Sequence, residues 1–115
     1  MLRAIVLTCG LFFSALGFAQ WGPDAQRCAG NEGTADERIA ACTRAITSGT
    51  LSPKDLASTF NNRAVEWDAK RDFDRALSDY TEAIRHNPQY SDAFSNRADT
   101  YNNKGEHAKA IADAN

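Results

Sequence analysis

The sequence predicts an all-α fold in which antiparallel helical hairpins stack side by side as a solenoid. Three observations predict it: residues recur with a period of 34, apolar side chains lie three and four positions apart, and helix-capping residues separate the apolar stretches. Phe60 recurs as Phe94, and Ala64 recurs as Ala98. A period of this length is typical of a repeat array, in which each unit buries its apolar face only against its neighbours.

The first 19 residues differ in composition from the rest of the chain. Arg3 is their one charged residue, residues 4–18 are nearly all apolar or small, and Gly17 and Ala19 supply the small residues of a cleavage site. This pattern predicts a secretory signal peptide over residues 1–19, and hence a periplasmic or secreted protein with no membrane contact after cleavage. An uncleaved membrane anchor is the alternative, although a spanning helix needs about 20 apolar residues.

The overall charge excludes one class of partner. The chain carries 13 basic and 15 acidic residues, with both signs interspersed, and a net charge of −2. Proteins that bind phosphate backbones normally show a basic face or stripe. The sequence contains no such cluster, so nucleic acid is not an expected partner.

Two cysteines remain once the signal peptide and its Cys9 are removed. Cys28 and Cys42 form an even pair in a chain expected to be exported, which predicts a disulfide. A bridge across 14 residues stabilises a fold by about 3 kcal/mol in the chain-entropy model. Metal binding by the pair is the alternative, but neither a Cys-x-x-Cys nor a nearby histidine completes a ligand set. We therefore expect no metal and no cofactor.

The first predicted helix follows an irregular segment. Residues 20–33 are rich in Gly, Pro, Asn and Asp and are predicted to form an irregular lead-in. Thr34 and Glu37 then form a capping box, and the helix that they open carries an apolar stripe and ends near Ser48. This helix lacks a full partner, and with its linker it occupies residues 34–56.

A complete helical hairpin is predicted to begin after Ser52 and to include the repeat at residues 57–90. Ser52 caps the first helix of the pair, which has Pro53 at its first position. Asp72 caps the second helix, and Pro88 follows its end. Two antiparallel helices with a tight connection form such a hairpin.

Residues 91–115 repeat this pattern incompletely. The first helix of the pair is predicted to end in a turn at Gly105. The second begins at Glu106 or His107 and has not reached its expected end at residue 115. Either the sequence is a fragment, or the apolar edge of the unfinished helix, which includes Ile111, meets another chain.

These residues resemble the tetratricopeptide repeat (TPR) family. That family places large, small and aromatic residues in a fixed order and follows its second helix with a proline. The second copy, in residues 91–115, matches in part and has Ala114 where the first has Tyr80. The residues of the first copy that match every position are Phe60, Ala64, Trp67, Ala76, Tyr80, Ala83 and Pro88.

The helix that begins at Thr34 resembles the second helix of a preceding, degenerate repeat. Residues 42–46 align with residues 80–84, so Cys42 takes the place of an aromatic residue. A disulfide to Cys28 would replace the packing that this aromatic and a full first helix normally supply. Signal peptide, paired cysteines and repeats together resemble exported bacterial TPR proteins.

In the TPR family, the first helix of each repeat lines a concave groove that receives a peptide. The resemblance implies a groove of amides and acids, in which Asn62 and Asn96 hold a peptide backbone because each amide offers a donor and an acceptor. The alternatives are purely local bonding for the amides and simple solvation for the acids. The implied binding residues are Asn61, Asn62, Asp68, Asp92, Asn96, Asp99 and Asn102, with Ser58, Val65, Ala69, Ser95 and Asn103 on the same helix faces.

The charges in this groove favour a neutral or basic peptide. The acids lie on the implied lining, whereas the lysines and arginines of the family's carboxylate-clamp variant are absent from it. Arg63 is expected to reach Asp79 on the neighbouring helix, and Arg97 is expected to reach Asp113. Taken as surface pairs, they would each be worth under about 1 kcal/mol.

The sequence predicts binding and no enzymatic activity. It contains no glycine-rich phosphate loop, no nucleophile motif and no paired histidines on one helix face. His86 and His107 lie at helix ends, where structural or solvated roles are expected. The predicted function is an exported TPR module that binds a protein or peptide ligand in its groove. The alternatives are an assembly module that self-associates through its unfinished last helix, and the N-terminal adaptor of a longer enzyme.

Overall fold

Six helices and no strand make up the part of the chain that the structure describes, residues 22–114 of a computed structural model. The predicted all-α fold is therefore confirmed, and none of these helices combines the length and apolarity needed to cross a membrane. The predicted signal peptide, residues 1–19, lies outside the described residues. The helices are α1 (Pro23–Ala29), α2 (Ala35–Thr47), α3 (Pro53–Ala69), α4 (Phe73–His86), α5 (Ser91–Lys104) and α6 (His107–Ala114).

The helices form two layers. Each helix packs against the next one along the chain, α1 also contacts α3, and α3 also contacts α5. Among the described helices, the even-numbered ones make no such contacts with one another. The odd-numbered helices therefore lie closer together, on the inner side of a curved array.

The predicted caps are present at three helix starts. Thr34, Ser52 and Asp72 each accept a hydrogen bond from the backbone N–H three residues further on, at 3.1 to 3.2 Å. These bonds satisfy N–H groups that have no partner within the helix. Pro53 occupies the first turn of α3, where its missing N–H costs nothing.

The prediction of an irregular lead-in over residues 20–33 is wrong in its middle part, because Pro23–Ala29 forms α1. Ala25 and Cys28, three residues apart, are both buried on one face of this helix. A helix of this length is not stable by propensity alone, and tertiary packing supplies what propensity lacks. The composition of the segment did not reveal this packing.

Cys28 and Cys42 form the predicted disulfide. The bond ties α1 to α2, and both residues are fully buried beside Ala41. Because α1 has only seven residues, its apolar contact with α2 is small. The crosslink supplies stability that this contact cannot.

Alanines dominate the rest of the core and let the helices approach closely. Five of the core alanines, all on α3, α4 and α5, have no solvent exposure at all. One cluster joins α3 to α4, and another joins that hairpin to α5. The first contains Ala64, Ala76 and Tyr80 with half-buried Trp67, and the second contains Ala57, Phe60, Ala83 and Ala93.

The turn between α3 and α4 is strained at Arg71. Its φ is 61°, in the left-handed region, whereas the turn between α5 and α6 has Gly105 at the repeat-equivalent position with φ 91°. A residue with a Cβ pays about 1 kcal/mol or more in this conformation. The Arg71 guanidinium stacks over the Phe73 ring at 5.2 Å, which recovers part of that cost.

We expect Arg71→Gly to raise the free energy of unfolding by about 0.5–1 kcal/mol, because glycine adopts this backbone without strain. Urea unfolding of the disulfide-bonded protein measures the change. Arg71→Ala is the control, since it removes the stacking on Phe73 but keeps the strain, and it should not stabilise the fold. A glycine variant less stable than the alanine variant would contradict the strain at this turn.

Candidate functional site

The inner layer presents two parallel stripes of side chains. On α3 and on α5, four exposed or half-buried residues follow one another at spacings of four, three and four. This spacing places the four residues of each helix on one of its faces. The two stripes occupy equivalent positions, one repeat apart. We call this surface the inner face; its residues are Ser58, Asn62, Val65 and Ala69 on α3 and Asp92, Asn96, Asp99 and Asn103 on α5.

Two hydrogen bonds join α3 to α5 beneath the inner face. Asn96 Nδ2 donates to Asn61 Oδ1 at 3.2 Å, and Thr100 Oγ1 donates to Asp68 Oδ2 at 2.6 Å. Asn61 is only 7% exposed. Of the residues predicted to line the groove, the structure therefore places Asn61 in the floor, where it positions Asn96.

Asp68 lies where α3, α4 and α5 meet. Its Oδ2 also accepts a hydrogen bond from the Tyr80 hydroxyl at 2.9 Å. Its Oδ1 is buried and accepts no hydrogen bond from any described residue. Asp68 therefore receives its described hydrogen bonds through one carboxylate oxygen.

The Tyr80 hydroxyl is held in its neutral form. Burial is the largest cause that raises its pKa, because a phenolate is poorly solvated there, and the nearby Asp68 charge raises it further. Asp99 adds to the same effect, so the Asp99 carboxylate also acts on this part of the molecule. Tyr80 consequently acts as a hydrogen-bond donor to Asp68.

The other predicted groove residues are exposed or half-buried on α3 and α5. Asp92 and Asp99 are exposed on α5 and take part in no ion pair with a described residue. Asn62 is half-buried, and its side chain makes no hydrogen bond within the described part of the chain. Asn102 is exposed at the end of α5, where its Oδ1 lies 2.9 Å from His107 Nδ1. Asn102 thus belongs to the turn before α6.

Arg63 joins three consecutive helices behind the inner face. Its Nε and Nη2 donate to the two carboxylate oxygens of Asp79 at 2.7 and 2.8 Å, and its Nη1 donates to Thr43 Oγ1 at 3.0 Å. The guanidinium also lies over the Phe60 ring, 5.5 Å from its centre. The expected contact with Asp79 is confirmed.

Arg97 makes the same set of contacts one repeat later. It bonds both oxygens of Asp113 at 2.6 and 2.7 Å, reaches Thr81 Oγ1 at 3.1 Å, and lies over the Phe94 ring at 5.6 Å. The same chemistry therefore sets the spacing of successive helices in both repeats.

The description of these as surface pairs is wrong. The side chains of Asp79 and Asp113 are only 6% and 9% exposed, and those of Arg63 and Arg97 are 20% and 17% exposed. The small residues of the core bring the helices close enough to cover both carboxylates. Pairs of this kind are costly to break, because the remaining charge stays buried.

Sequence reasoning also missed the position of His86. Its ring stacks on Phe60 at 5.7 Å with an interplanar angle of 8°, so it covers a core aromatic in addition to ending α4. The two residues lie 26 positions apart in the sequence. No periodic pattern of apolar residues signals a pair of this kind.

The described residues hold no group of His, Cys, Asp and Glu side chains that could bind a metal ion. Because Cys28 and Cys42 are bonded to each other, the alternative that they bind a metal is also wrong. The polar chemistry of the inner face is that of amides and carboxylates.

Residues 79–112 match the tetratricopeptide repeat in a comparison with known protein families. The matched segment runs from within α4, through all of α5, into α6. It includes the α5 half of the inner face and Arg97, and it ends one residue before Asp113, the partner of Arg97. A search of curated proteins finds no match.

We expect the stability of the wild-type protein to fall above about pH 10, because the unfolded chain loses the phenolic protons there while folded Tyr80 keeps its own. Tyr80→Phe should lack this component. Urea unfolding across this pH range should show the free energy of unfolding of the wild type decreasing more steeply than that of the variant, by up to about 1.4 kcal/mol per pH unit. Equal slopes would contradict the raised pKa of buried Tyr80.

Proposed function

This chain is a tetratricopeptide repeat protein, a fold that generally serves protein–protein interaction, and we propose that its inner face binds a peptide segment of a partner protein. The inner face is the side of α3 and α5 that does not pack against the outer layer. The outer layer, formed by the even-numbered helices, supports that surface through the arginine contacts. The module acts by binding, without catalysis of its own.

The observation that carries the proposal is the repetition of an available amide. Asn62 and Asn96 occupy equivalent positions on α3 and α5, and both side chains are partly exposed. Each amide offers one donor group and one acceptor, which match the C=O and N–H of a peptide unit. Asn96 uses one Nδ2 hydrogen for Asn61, and this bond fixes the orientation of its amide before any ligand arrives.

We further propose the organisation of the chain. Residues 1–19 act as a signal peptide, residues 34–56 with α1 form a degenerate repeat, and residues 57–90 and 91–115 are two repeats. The buried disulfide supports export, since such bonds persist mainly in oxidising compartments. The function would then be carried out in the periplasm or outside the cell.

We expect Asn62→Ala combined with Asn96→Ala to weaken groove binding strongly. Random peptides long enough to span the inner face are displayed on phage and selected on the wild-type protein, and one enriched peptide is synthesised for fluorescence titration. The double variant should bind it at least about tenfold more weakly, since several hydrogen bonds of about 0.5–1.5 kcal/mol each are lost.

Gln89→Ala is the matched control, because it removes an exposed side-chain amide in the connection between α4 and α5. It should leave the affinity unchanged, and circular dichroism should show equal helix content in all three proteins. Unchanged affinity in the double variant would overturn the assignment of the groove.

A further inference from the structure

The acids of α5 differ from those of the two outer helices that pack against it, α4 and α6. Every acidic residue of α4 and α6 takes part in an ion pair, whereas neither acid of α5, Asp92 or Asp99, does so. Both unpaired acids lie on the inner face. The paired acids are Asp74 with Lys104, Asp79 with Arg63, Glu82 with Arg85, and Asp113 with Arg97.

The Asp68 and Asp99 carboxylates act on the same part of the molecule, because both raise the pKa of Tyr80. Thr100, which follows Asp99 on α5, donates a hydrogen bond to Asp68 on α3. Asp68 Oδ1 is buried without a donor. Because Asp68 Oδ1 is closed to solvent, the exposed Asp99 carboxylate is the group at this junction that a positively charged ligand can reach.

An apolar contact accompanies this acidic site. Val65 is 43% exposed and, with Ile111, is one of two exposed large apolar side chains among the described residues. It occupies on α3 the position that Asp99 occupies on α5. Lysine and arginine combine an apolar stem with a charged tip. A residue of that type can lay its stem on Val65 while its charge reaches Asp99.

We propose that the inner face binds a cationic peptide segment, with Asp99 and Asp92 as the residues that select it. This inference rests on the proposed function and specifies its ligand: a segment with two lysine or arginine side chains, one at each acid. Asn62 and Asn96 hold the backbone of the segment, and the two acids decide which sequences are accepted. A metal ion does not fit the site, because no three His, Cys, Asp or Glu side chains of the described residues come together to hold one.

The spacing of the acids sets the spacing of the basic residues. Asp92 and Asp99 are seven positions apart on one helix, which corresponds to about 10 Å along its axis. In a polyproline-II peptide, residues three positions apart point the same way and are separated by about 9 Å. An extended ligand should therefore carry its basic residues in a Lys/Arg-x-x-Lys/Arg pattern.

Phage selection with random peptides tests the proposal on three proteins. The wild type should enrich peptides with two basic residues, and binding of a synthesised peptide of that kind should weaken as salt rises from about 0.05 M to about 0.5 M. Asp92→Asn combined with Asp99→Asn should lose this enrichment and bind the same peptide about tenfold more weakly.

The control is Glu32→Gln combined with Glu37→Gln, which removes two charges from exposed residues near the turn between α1 and α2. Like Asp92, Glu37 lies in the first turn of its helix, and neither glutamate takes part in an ion pair with a described residue. This variant should bind the basic peptide as the wild type does. Equal weakening by both double variants would mean a general effect of net charge and would overturn the proposal.

The remaining outcomes separate this inference from the proposed function. If the wild type selects peptides without basic residues, and their binding depends on Asn62 and Asn96, the groove stands and the cationic ligand is wrong. If binding depends on neither the amides nor the acids, or if no peptide is enriched, the groove itself is wrong and the inference fails with it.

Discussion

The stacking of the helices depends on a buried arginine–aspartate pair that occurs once in each repeat. Arg63 bonds both oxygens of Asp79 and still has a nitrogen free for Thr43, so one planar guanidinium connects α2, α3 and α4. Arg97 repeats the arrangement with α4, α5 and α6. Because these contacts fix the positions of α3 and α5, they also determine where the side chains of the inner face lie.

The same pairs explain why the two layers differ chemically. Arg63 on α3, with Arg97 and Lys104 on α5, reaches the outer layer and neutralises acids there. The acids on the opposite side of α5 are left without partners. A binding surface thus arises from the way in which the fold distributes its charges, with amides at repeated positions to hold a backbone and carboxylates to favour cationic side chains.

The repeat period and the capping residues were sufficient to predict five of the six described helices, because those signals are local. The disulfide could be predicted by counting the cysteines. The sequence could not predict α1, whose short length requires tertiary packing. From the sequence, Asn61 was expected on the surface and Asp79 was expected in an exposed ion pair. Periodicity indicates which face of a helix a residue occupies, but the depth of its burial depends on how closely the helices approach. Contacts such as Phe60 with His86 have no sequence signal.

Urea unfolding of Arg63→Met measures most directly whether the array depends on this pair. A loss of about 3–5 kcal/mol in the free energy of unfolding is expected, because Asp79 is then left as a buried, unpaired charge. Adding Asp79→Leu to the same protein should recover most of that loss, since no charge remains to be buried. A loss under about 1 kcal/mol for Arg63→Met, as for an exposed ion pair, would contradict the role of the arginine in holding the helices together.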